Sequence, residues 1–144
     1  MKIYLIGSLR NPAVPLLGNE LRKLGFEVFD EWFGAGPEAD DYWQKYEQTR
    51  GRHYKEALYG LEAENIYLFD RRNLDASDLA VMLLPAGKSG HIEFGYAIGQ
   101  GKPGYILFDE EPERWDVMYQ FASGVFFNQQ ELLSSISSWV SVSQ

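Results

Sequence analysis

Six consecutive apolar residues, Leu79-Ala80-Val81-Met82-Leu83-Leu84, lead into Gly87-Lys88-Ser89-Gly90-His91-Ile92-Glu93-Phe94-Gly95-Tyr96. The apolar run reads as a buried strand. The glycine-bearing stretch reads as its junction with a helix, which closes in the turn Gly99-Gln100-Gly101-Lys102-Pro103. A strand that feeds a helix through glycines turns backbone N–H groups toward any anionic or sugar-bearing ligand at the carboxyl edge of a sheet. This pattern points to an α/β fold and places Glu93 in the first turn of the helix, as a candidate nucleophile.

The flanking segments extend the pattern. Lys2 to Gly7 is a short β-rich run ending in Gly7-Ser8. Pro12 and Pro15 flank the start of a helix with Leu16, Leu17, Leu21 and Leu24 at one-face spacing, and Gly25 ends it. Phe26 to Trp32 forms a second strand, and strand, helix, strand in this order makes a parallel sheet the default. Residues 33–56 break the period: Gly34-Ala35-Gly36-Pro37 is followed by aromatics mixed with charges, which reads as a lid of short helices over the sheet edge. Leu58 to Asn73 reads as a helix turning Leu61, Ile66, Leu68 and Phe69 inward. Asp75-Ala76-Ser77-Asp78 then enters the apolar strand.

Gly104 to Phe108 is a further buried strand, Asp109 to Arg114 an acidic loop and Trp115 to Ala122 a short helix. Val125 to Phe127 is a last strand and Gln130 to Val140 an amphipathic closing helix. The expected architecture is a flavodoxin- or Rossmann-like three-layer sandwich of about five parallel strands, one domain over residues 1–144.

Composition removes several classes. The formal net charge of −8 repels phosphate backbones, so nucleic acid is not an expected partner. There are no cysteines for disulfides or thiolate–metal sites, and two histidines, His53 and His91, give little support for a metal. No metal or cofactor is expected. No apolar run reaches transmembrane length and the first is too short for a signal peptide, so the expectation is a cytoplasmic chain with no membrane partner. The dinucleotide, P-loop and nucleophile-elbow fingerprints are missing.

Several residues carry chemistry. Glu93 is either a dipole-stabilised helix-start carboxylate or a nucleophile. Asp70 is either a solvated partner of Arg71 or Arg72, or a second carboxylate beside Glu93, and such pairs drive their pKa values apart. Tyr4 either orients a carboxylate or fills the core. Gly7 and Ser8 end the first strand as a plain turn, or present N–H and hydroxyl groups to a sugar or phosphate. Lys88, Ser89, Gly90 and His91 line the junction: Lys88 either neutralises a phosphate or is a solvated loop lysine, and His91 either contacts a phosphate or acts as an acid. Trp32, Phe33, Tyr42, Trp43 and Tyr46 either stack on a flat heterocycle or pack a lid or subunit contact.

Together Ile3-Tyr4-Leu5-Ile6-Gly7, the spacing of Asp70 and Asp78, and Ser89-Gly90-His91-Ile92-Glu93-Phe94-Gly95-Tyr96-Ala97 followed by Gly101-Lys102-Pro103 resemble the nucleoside 2-deoxyribosyltransferase family, including its nucleotide-hydrolysing relatives. The resemblance implies that Glu93 attacks C1′ of a deoxyribosyl group, that Tyr4 holds it and that Asp70 assists proton transfer to the leaving base. A second base or water then resolves the covalent intermediate. It also implies a homodimer or higher homo-oligomer whose site is completed by a neighbouring subunit, with Asn128 the residue to watch. The loop is one residue shorter than the family pattern and lacks its sugar-contacting aspartate. Lys88 and His91 in that region suit a nucleoside monophosphate or dinucleotide. Two other readings compete: a TIR-like NAD glycohydrolase and a non-catalytic nucleotide-binding module.

Overall fold

The computed structural model describes residues 1–143. Strand β1 (Lys2–Ile6) is followed by helix α1 (Ala13–Lys23), β2 (Glu27–Phe29) and a 3-10 turn at Glu31–Ala35. Helices α2 (Ala39–Thr49), α3 (Tyr54–Leu58) and α4 (Leu61–Asp75) precede β3 (Leu79–Leu83). Then come α5 (Lys88–Gly99), β4 (Gly104–Leu107), a 3-10 turn at Val117–Phe121, β5 (Gly124–Phe126) and α6 (Gln129–Ser143). All pairings are parallel, in the order β2-β1-β3-β4-β5. This is the expected α/β sandwich with five parallel strands, in the doubly wound order whose switch point lies between β1 and β3.

The strands separate two apolar layers by their period of two. Ile3, Leu5 and Val81 pack against Val14, Leu17 and Leu21 of α1 and Leu132 and Ile136 of α6. Tyr4, Ile6, Ala80 and Met82 face the other way, against Leu74 of α4 and Phe94 and Ala97 of α5. No helix among the described residues is long and apolar enough to cross a membrane.

Local boundaries differ from the sequence reading in four places. The second strand stops at Phe29 because Phe33 N–H turns back to the Asp30 carbonyl (3.0 Å), starting the 3-10 turn that contains Trp32. On α1 the buried set is Val14, Leu17 and Leu21, whereas Leu16 and Leu24 are exposed. The helix expected over residues 58–73 is α4, which starts at Leu61 after the Tyr59-Gly60 break that ends α3.

The fourth difference bears on the site. Leu61, Ile66 and Phe69, expected to face inward, are 79%, 51% and 50% exposed. Helix α4 runs antiparallel to the strands and is about 22 Å long, against about 17 Å for β3. Only its last turns reach the core, through Leu74, so its first half overhangs the sheet's carboxyl edge.

Candidate active site

Glu93 stands on the inward stripe of α5. Gly90, Glu93, Phe94 and Ala97 recur at helical spacing, and all but Glu93 are buried. Helix α5 starts at Lys88 after Gly87, so Glu93 is in the second turn and not the first, and the helix-start dipole reading does not hold. At Gly90 an added Cβ would meet Ile6 Cγ2 at 2.8 Å and Ala86 Cβ at 3.2 Å. The missing side chain lets α5 approach the end of β1 and carries Glu93 to the sheet.

On β1, Tyr4 is 1% exposed, paired in register with Ala80 and Phe29. Its hydroxyl donates to Glu93 Oε2, linking the first strand to the fifth helix. The small Ala80 leaves the phenol room, and the Phe29 ring packs beside it with centroids 5.1 Å apart. Asp70 lies one turn before Leu74 on the same side of α4, so it faces this pair from above the core.

Burial dominates the electrostatics. It pushes the Glu93 carboxyl up to about 7, the Tyr4 donor pulls it back, and the Asp70 charge pushes it up again. Burial alone raises Asp70 to about 6. The Tyr4 phenol is raised by burial, then by the adjacent Glu93 charge, so it remains a protonated donor at neutral pH. Two carboxyls that feel each other titrate as a coupled pair over this range. One half can ionise as a nucleophile while the other holds a proton for a leaving group.

The remaining candidates occupy the surrounding edge. Gly7 is tightly packed: an added Cβ would come within 2.7 Å of Val14 Cγ2 and 3.8 Å of Trp32. Ser8 Oγ accepts from Arg10 N–H (3.1 Å), ordering the loop after β1. Lys88 and Ser89 are exposed in the first turn of α5. His91 Nδ1 lies 2.8 Å from the Gly87 carbonyl, which can only accept, so the neutral ring carries its proton there and Nε2 accepts from Tyr119 OH at 2.8 Å.

His91 thus faces away from Glu93, toward a cavity of about 630 Å³ bounded by Pro85, Phe108, Tyr119 and the acidic loop after β4. Tyr4, Asp70 and Glu93 do not line that cavity. Asn128 Oδ1 accepts from Glu131 N–H (3.2 Å) at the start of α6. It follows β5, three strands from β1, about 14 Å across the sheet. This chain alone does not bring Asn128 to Glu93.

Sequence reasoning missed Phe29 and Phe69 as neighbours of the site: Phe69 packs edge-on against Phe29 at 5.5 Å, and Phe29 packs beside Tyr4. The adjacency of Phe69 to Asp70 was the available signal. It also missed that Trp32 Nε1 donates to the Leu5 carbonyl (2.8 Å), fixing an indole beside Gly7. Among the described residues no cluster of three or more His, Asp or Glu side chains has metal-holding geometry.

No family model matches the chain. No curated protein matches it in sequence. Solved structures share its fold. A 2-deoxyribosyltransferase from the psychrotolerant bacterium Bacillus psychrosaccharolyticus aligns over 92% of this chain and 90% of its own, with TM-score 0.64 and 16% identity. A conserved protein from Enterococcus faecalis V583 aligns over 96% and 98%, with TM-score 0.63 and 20% identity. The CMP N-glycosidase BcmB of Clostridium botulinum aligns over 95% and 99%, with TM-score 0.52 and 13% identity. Over nearly its full length, the chain has the fold of enzymes that act on N-glycosidic bonds.

Proposed function

We propose that this chain cleaves or transfers the N-glycosidic bond of a (deoxy)nucleoside or nucleotide, with Glu93 as the nucleophile. The observation that carries the reading is the buried Tyr4–Glu93 hydrogen bond at the carboxyl edge, with Asp70 beside it. A developing oxocarbenium centre requires an anion on one face and an acid at the leaving group. Ionised Glu93 attacks C1′, the C1′–N bond breaks, and the bond's electrons leave with the base. Protonated Asp70 supplies the base's proton. Water or a second base then attacks C1′, frees Glu93 and returns a proton to Asp70. Tyr4 donates to the non-attacking oxygen and fixes the carboxylate's orientation.

The chain acts on a small molecule as a homo-oligomer, in the same reading. Phe69 and Ile92, the last 73% exposed, adjoin Asp70 and Glu93 in the chain and offer an apolar surface for a second subunit to wall the site. Asn128 would enter the site from that subunit.

The deciding experiment is product analysis with deoxynucleosides, nucleoside monophosphates and NAD, each with wild type and Glu93→Gln. Base release lost in the variant supports the reading. Nicotinamide release from NAD without base release from deoxynucleosides would favour the NAD-glycohydrolase reading. Nucleotide binding without turnover by wild type would favour a silent binding module.

A further inference from the structure

We infer that α2 is a hinged lid over the carboxyl edge, pivoting at its C-terminal end on Glu47 and latched at its N-terminal end by Arg10. Left-handed glycines bracket the helix: Gly36 at φ +94° before it and Gly51 at φ +77° after it. The helix itself barely joins the body of the fold. Tyr42 and Tyr46 are 64% and 55% exposed, and Glu47 is the only buried residue of its eleven.

The two ends are held very differently. At the pivot, Glu47 is 3% exposed, with Arg50 Nη1 3.2 Å from Oε1 and Arg52 Nε 3.0 Å from Oε2, the second an ion pair whose N–H is not aligned for a hydrogen bond. Arg52 N–H donates to the Glu47 carbonyl (3.1 Å), and Arg52 Nη2 to the Glu56 carbonyl (2.7 Å). A Cβ at Gly60 would stand 2.5 Å from Arg52 Nη2, so the α3–α4 junction closes directly on the guanidinium. Glu47 is buried while its two arginines are partly exposed, and losing them would strand the buried carboxylate, so this end stays put.

At the other end the polar tie is Arg10 Nη2 to Asp41 Oδ2 at 3.6 Å, with both side chains about two-thirds exposed. A pair of that kind shifts an equilibrium by only about two- to fivefold. Arg10 belongs to the loop after β1, where its N–H is held by Ser8. The latch therefore fastens α2 to the edge that carries the candidate site. Trp43 Nε1 is buried without an acceptor, a group left unsatisfied in this arrangement of the helix.

Lid motion rests on the site's location at this edge but not on its chemistry, so the two can fail separately. An undocked helix of 11 residues is marginal in water and loses its own hydrogen bonds, so hydrogen exchange on the full chain reads the opening of α2. In the free protein the amides of residues 39–49 should exchange at least about 100-fold faster than those of residues 92–99 in α5. Asp41→Asn should speed α2 exchange a further two- to fivefold and leave α5 unchanged. Glu93→Gln with saturating 2′-deoxyadenosine or CMP should slow α2 about tenfold or more.

Exchange in α2 as slow as in α5, or indifferent to Asp41→Asn, would overturn the lid. So would a probe that protects β1 and α5 while leaving α2 unchanged. If neither probe protects any segment, the glycosidic reading loses its support, while the free-protein rates still decide the lid.

Discussion

Ile3 and Leu5 point to one face of β1, and Tyr4 and Ile6 to the other, yet the two faces are built to different ends. The face under α1 and α6 is an apolar seal in which Leu17, Leu21, Leu132 and Ile136 are at most 2% exposed and the Tyr105 ring, 4% exposed, packs among aliphatic side chains. The face under α4 and α5 is equally apolar around Leu74, Met82 and Phe94, but admits a phenol and two carboxyls at its upper end. The contrast teaches where stability and chemistry separate. Burial that only stabilises on one face is, on the other, the cause of the raised carboxyl pKa values.

The sharpest break in this contrast is Glu93→Gln. Its expected effect on base release is a loss of about a thousandfold or more, measured by product chromatography, with the circular dichroism spectrum unchanged. On the sealing face, Leu17→Ala or Ile136→Ala should cost about 2–5 kcal/mol in urea unfolding, with turnover per folded molecule retained. Tyr4→Phe removes a hydrogen bond to a charged group, worth about 1.5–3 kcal/mol, and should lower kcat/KM about 10- to 100-fold. It should also move the alkaline limb of the pH profile upward, because the lost donor favoured the ionised carboxyl and Glu93 holds the higher of the two values.

A pH titration of stability gives a smaller effect of defined sign. Below about 4.5, the ordinary value for Glu93, folded and unfolded chains both hold its proton. Between there and about 7 only the folded chain keeps it, so stability falls as pH rises through that window. Asp70 acts in the same direction between 3.8 and about 6. Glu93→Gln should therefore be more stable than wild type at pH 8, by up to about 3 kcal/mol, with the gain vanishing near pH 4. Activity needs Glu93 ionised and Asp70 protonated, the minority form of a pair in which Glu93 holds the proton more tightly, so kcat/KM should be bell-shaped with its maximum between about pH 6 and 7.

Much of this arrangement was legible in the chain. The Leu79–Leu84 run, the βαβ opening and the Gly87–Tyr96 junction carry the parallel sheet and its strand count, because short apolar runs separated by helices leave few parallel topologies. Glu93 was legible as a lone carboxylate among Gly90, Phe94 and Ala97, though not its turn of the helix, which depends on where α5 starts. Leu61, Ile66 and Phe69 misled because apolar residues at helical spacing look the same under a sheet or beyond its edge. Where the helix docks along the sheet decides that, and a sequence pattern does not contain it. The Trp32–Leu5 and His91–Tyr119 bonds join distant segments and have no local signal.

The nucleophile itself is the most direct point of attack. Intact-protein and peptide mass spectrometry after rapid acid quench with a cleavable deoxynucleoside should find a deoxyribosyl adduct on the peptide containing Glu93, and none in Glu93→Gln. Base release by the wild type that continues undiminished in Glu93→Gln, with no adduct on that peptide in either protein, would contradict the role assigned to this carboxylate.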